Sequence, residues 1–71
     1  MATQEAAQPS EFPPAIGRPA HRALVAHGYT TYDQLTKVTS KEILKLHGVG
    51  PKAIRILEAE LAAKGLAFAA P

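Results

Sequence analysis

The chain has 71 residues, with 8 Lys and Arg against 6 Asp and Glu, no Cys, no Trp and 46% hydrophobic residues. A single domain of this size buries only about 60% of the surface its unfolded chain exposes. With no Cys for a disulfide or a thiolate zinc site, its stability must come from one apolar core. The same length leaves little material for the walls of a catalytic cleft, no apolar run approaches the ~18 residues of a membrane span, and Met1-Ala2-Thr3-Gln4-Glu5 lacks the basic and apolar regions of a secretory signal, so a cytoplasmic location is expected.

Residues 1–14 carry Glu5 and Glu11 and no base, a charge of −2, whereas residues 15–71 carry all 8 bases against Asp33, Glu42, Glu58 and Glu60, a charge of +4. That excess suits a polyanionic partner.

In chain order, residues 1–14 read as a flexible N-terminal tail, because Pro9, Pro13 and Pro14 interrupt a polar stretch. Phe12 is the exception in this tail: it either docks on the domain or stands free for a partner. Everything from Ala15 to Pro71 has helical rather than alternating periodicity, with room for one extra turn near residues 10–16. The first helix is predicted from Pro19 to about His27, stopped at Gly28, with Ala20, Ala23 and Leu24 inward and Tyr29 folding back over the turn. Thr31 caps a short second helix through Leu35. Thr39-Ser40-Lys41-Glu42 is a capping box for a third, whose apolar face is Ile43, Leu44 and Leu46. The fourth opens at Pro51, runs to Lys64 and stops at Gly65. Its Ile54, Leu57 and Leu61 share one face, while Ile56, at about 100° per residue, falls nearly opposite Ile54. Leu66 and Phe68 are expected to fold back onto the bundle. The fold class is thus all-α, a compact bundle of four to five short helices.

The stretch with chemical content is Leu46-His47-Gly48-Val49-Gly50-Pro51-Lys52-Ala53-Ile54. One helix ends, the chain turns, and another helix starts. Gly48 and Gly50 are expected to supply positive φ and a close backbone approach to another molecule, with Val49 pointing inward between them. The amides near Gly50 and Lys52 sit at the positive end of the fourth helix, a natural place for an anion, and Lys52 adds a full charge.

Leu46-His47-Gly48-Val49-Gly50-Pro51-Lys52 resembles the hairpin of the helix-hairpin-helix family, which grips DNA phosphates through hairpin amides. Over residues 16–68 the chain is similar to the C-terminal domain of the bacterial RNA polymerase alpha subunit, a helical domain of the SAM-like kind. The similarity is carried by Ile16-Gly17-Arg18-Pro19-Ala20, Ala23-Leu24, Gly28-Tyr29, Asp33-Gln34-Leu35, Thr39 to Leu46, Gly48 to Ile54 and Lys64-Gly65-Leu66. It implies a helix-hairpin-helix domain over 15–71 that contacts the minor groove or backbone of double-stranded DNA, with little sequence specificity. The contacts it implies fall at Gly48, Val49, Gly50 and Lys52 and at the start of the first helix. The key Arg of the polymerase domain's first-helix motif falls at Pro19, leaving Arg18 and Arg22 as the nearest bases. His47 stands at the hairpin entrance, beside the expected phosphate.

Against these readings stand plainer ones. The hairpin also serves as a simple interhelical turn, and Lys41 and Lys45 read as a solvated face. His21 and His27 are six apart, not the four of a helical metal pair, so no metal or cofactor is expected. Ser10, Ser40, Glu58 and Glu60 form no acid, base or nucleophile arrangement, so no enzyme is expected. Tyr29, Tyr32 and Phe68 read as core or rim aromatics. The expectation is therefore a small, free-standing, monomeric DNA-binding protein, nucleoid-associated if that binding holds. The alternative is a protein-protein interaction adaptor with its partner at Ile56 or Phe12.

Overall fold

The computed structural model describes residues 10–70. Four helices follow one another: α1 Arg18–Ala26, α2 Tyr32–Leu35, α3 Ser40–Leu44 and α4 Pro51–Ala63, preceded by a single 3-10 turn at Pro14–Ile16. Among the described residues there is no strand. No helix is long and apolar enough to cross a membrane.

Helices of four and five residues do not form on propensity alone. Here each is held by a reciprocal cap. Thr39 Oγ1 accepts from the Glu42 amide at 3.1 Å, and Glu42 Oε1 accepts from the Thr39 amide at 2.9 Å. The same box recurs at Thr31, where Gln34 returns the bond: the Thr31 amide donates to Gln34 Oε1 at 3.0 Å and the Gln34 amide to Thr31 Oγ1 at 3.3 Å. α1 and α4 share a different device at their C-termini. The Tyr29 amide donates to Leu24 O and the Gly28 amide to Val25 O; likewise Leu66 donates to Leu61 O and Gly65 to Ala62 O. Both are Schellman closures around a positive-φ glycine.

The apolar faces meet in one core, in which Leu24, Leu35, Ile43, Leu57 and Leu61 are fully buried. Ile54, Leu57 and Leu61 do form the inner stripe of α4. Ile56 is half-buried against the same core, because α4 packs on both the 3-10 turn and α3 and so has a wide covered arc. Two expectations for apolar residues need correction. Leu44 is 42% exposed rather than on the inner face of α3, and Leu66 remains largely outside at 37%. Phe68 does fold back against the core, guided by the Ala69 amide donating to Val38 O at 2.8 Å.

Residues 10–14, read from the sequence as part of the tail, lie against the helices as a strap. Phe12 is only 6% exposed and meets Tyr32 edge-on, ring centres 5.2 Å apart. It docks on its own domain and presents no surface to a partner. Glu11 ties the strap down twice: its amide donates to Thr30 O at 2.9 Å, and its carboxylate accepts from the Tyr32 amide at 2.9 Å. The remaining tail expectation, mobility of residues 1–9, lies outside the described residues.

Candidate functional site

The α3–α4 connection is built from a few local bonds. The Leu46 amide donates to Ile43 O at 3.0 Å and the Val49 amide to Leu46 O at 3.1 Å. Val49 then turns its side chain into the core, at 7% exposure. This matches its expected inward orientation but changes its expected site role: both its side chain and its amide are engaged internally, so Val49 anchors the turn rather than offering a free donor. Gly48, Gly50, Lys52 and Ala53 do offer one, since among the described residues their amides meet no acceptor. Three of these belong to Gly50, the N-cap of α4, and to the first turn that follows it.

The two glycines differ. Gly48 has φ +100°, as expected, but Gly50 is extended at φ −111° and ψ 175°. The expected positive φ at Gly50 is therefore corrected. An extended residue at this place is what an N-cap needs, and a Cβ built there would meet nothing within 4 Å. A Cβ on Gly48 would lie 2.9 Å from the carbonyl oxygen of Pro19 and 3.2 Å from its carbon. Gly48 is thus required twice, by its backbone angle and by its packing against the first turn of α1.

That contact sets the geometry of the candidate site. It holds the turn at His47–Gly50 against Gly17–Pro19, so the two segments singled out from the sequence are neighbours in space. Arg18 and Arg22 lie at i, i+4 on α1, and both are exposed. His47 and Lys52 flank Gly48 and Gly50 and are exposed too. The sequence reading missed Arg55, exposed and three residues beyond Lys52 on the same side of α4; helical spacing from Lys52 was the available signal.

Charge is distributed to match. Residues 12–32 and 43–57, the two stretches that meet at Pro19 and Gly48, contain no Asp or Glu, yet they hold Arg18, Arg22, Lys45, Lys52 and Arg55. Among the described residues no carboxylate comes within 4.0 Å of these bases, and the ion pair that does form, Lys37 with Asp33 at 3.8 Å, is elsewhere and exposed. Two of the acids, Glu11 and Glu60, lie near Tyr32. Burial, and then Glu60 and Glu11, push the Tyr32 hydroxyl above the ordinary tyrosine range. The Lys64 ammonium lies 5.0 Å from the centre of that ring. Among the described residues there is no group of three or more His, Asp or Glu placed to hold a metal ion.

No protein-family model, curated protein or solved structure matches the chain.

Proposed function

We propose that this chain binds double-stranded DNA through its backbone phosphates, with the α3–α4 turn as a helix-hairpin-helix hairpin and the start of α1 as the second half of one contact face. The observation that carries this reading is the seat of Gly48 on Pro19, which joins two acid-free, base-bearing segments into one surface. On that surface the unpaired amides of Gly48, Gly50 and Lys52 can donate to phosphate oxygens, aided by the dipole of the 13-residue α4. Lys52, Arg18 and Arg22 supply charge, with Arg55 and His47 at the margins. Contacts of this kind position a protein on a duplex without reading bases, so the binding is sequence-tolerant and involves no catalytic step.

A mobility shift on random duplex DNA across a salt series tests the reading. Weak, strongly salt-dependent binding is expected, near the non-specific range of about 10⁻⁴ to 10⁻⁶ M at physiological salt. Absence of any shift at low salt and high protein concentration would remove the DNA reading and leave the adaptor alternative.

A further inference from the structure

α1 carries a third group on the side that bears Arg18 and Arg22. His21 is at i+3 from Arg18 and next to Arg22, so the three share one side of the helix. Unlike its neighbours, His21 is half-buried. It forms one wall of an open groove of about 380 Å³ between the strap and α1, lined by Phe12, Pro14, Gly17, Arg18 and His21. The lining is apolar on one side and basic on the other, and it includes no carboxylate.

The ring of His21 is held in place. Its Nε2 is hydrogen-bonded to the hydroxyl of Ser10, from the strap. When that hydroxyl donates, the ring proton sits on Nδ1; when the ring is charged, both nitrogens donate. In both of these states Nδ1 is a donor; in the remaining tautomer Nε2–H donates to the Ser10 oxygen, and charging the ring then adds the Nδ1 donor. Among the described residues it meets no acceptor, in contrast to His27, whose Nδ1 is taken by the Ala23 carbonyl at 2.9 Å.

We propose that this groove is a second backbone subsite for the duplex, in which His21, oriented by Ser10, donates to a phosphate other than the one at the start of α4. The sugar of that nucleotide would rest on the exposed Pro14, and Arg18 would share its phosphate. The inference rests on the DNA reading above. It makes His21 a contact residue that the sequence pattern did not single out, and Ser10 a positioning residue.

The charged groups near His21 are Arg18 and Arg22 on its own helix. The strap contributes Ser10, its neighbour Glu11 being turned toward Tyr32; the 3-10 turn carries no charge. An imidazole gains its charge as pH falls from about 8 to about 5.5, and a charged contact to phosphate releases a counterion. Anisotropy titrations of a labelled random duplex at both pH values, across a salt series, therefore read the subsite directly.

For the full chain, affinity should rise at the lower pH by about five- to tenfold more than for His21→Ala or His21→Gln, and the salt slope should steepen by about 0.9 more. His27 and His47 are present in all three proteins, so the difference isolates His21. Ser10→Ala should weaken binding, Ser10→Thr should restore it, and in a His21→Arg background Ser10→Ala should change nothing. An equal pH response in the full chain and in both His21 variants would overturn the proposal. So would a Ser10→Ala loss that persists in the His21→Arg background. If Lys52→Ala weakens binding while the His21 variants do not, the groove fails and the DNA reading stands; if the duplex is not bound at all, both fail.

Discussion

Replacing Gly48 by alanine tests whether the turn is locked to α1. The methyl group would be forced into φ +100°, with its carbon 2.9 Å from a backbone oxygen and 3.2 Å from a backbone carbon of Pro19. Strain at such an angle costs about 1–3 kcal/mol. The obstacle is main chain and cannot rotate away, so relieving it adds about 1–3 kcal/mol of overpacking. The sum, about 2–6 kcal/mol, is a large part of the roughly 4–11 kcal/mol expected for a chain of this length. At roughly 4–8 °C per kcal/mol, Gly48→Ala should lower Tm by at least about 8 °C in a far-UV circular dichroism melt. Gly50→Ala is the control. Its backbone is extended and its methyl would meet open space, so stability should be unchanged or raised by about 0.4–1 kcal/mol. That methyl projects from the hairpin, so Gly50→Ala should still weaken DNA binding. A Gly48→Ala melt within about 2 °C of the parent, or a larger loss at Gly50 than at Gly48, would refute the reasoning.

Three further outcomes follow from the packing. Phe12→Ala removes a ring that is 6% exposed and edge-on to Tyr32, and should cost about 3–5 kcal/mol by urea denaturation; a cost below about 1 kcal/mol would mean the strap is not part of the core. Thr39→Ala and Thr31→Ala should each cost about 1 kcal/mol through loss of a cap, with Glu42→Ala sharing rather than adding to the Thr39 effect, since the two close one box. Tyr32 binds its proton more tightly folded than unfolded, because burial and then the charges of Glu60 and Glu11 hold its folded value above the ordinary tyrosine range. Its contribution is therefore fully present below about pH 10 and lost as pH rises through the folded value. Tyr32→Phe should flatten the alkaline limb of a stability-against-pH curve.

What could be read in the sequence was mostly what is decided within a few residues. The Thr39–Glu42 box and the glycine stops of α1 and α4 are local bonds, and each lies where its sequence pattern put it. The Thr31–Gln34 box has the same spacing, with Gln34 closing it in place of an acid. Leu44 was misplaced because a five-residue helix is too short for a period to separate inside from outside. Two glycines in one turn allow positive φ at either position, so sequence alone did not tell that Gly48 uses it and Gly50 does not. Phe12 stands alone among prolines, and only its tertiary contact with Tyr32 decides that it docks. The neighbours within the candidate site were legible one by one, as Gly48, Lys52, Arg18 and Arg22. Their assembly into one face depends on a backbone contact between Gly48 and Pro19, far apart along the chain, for which there is no local signal.

The central claim is that a handful of phosphates are engaged by one face centred on the hairpin. The most direct measurement is the slope of log K against log salt for a random duplex, in the full chain and in Lys52→Ala. With roughly three or four phosphates neutralised, the slope should be about −3 to −4. Lys52→Ala should weaken binding uniformly across duplex sequences and reduce the slope by about one. A slope near zero, or binding unchanged both in Lys52→Ala and in an Arg18→Ala/Arg22→Ala double variant, would contradict it.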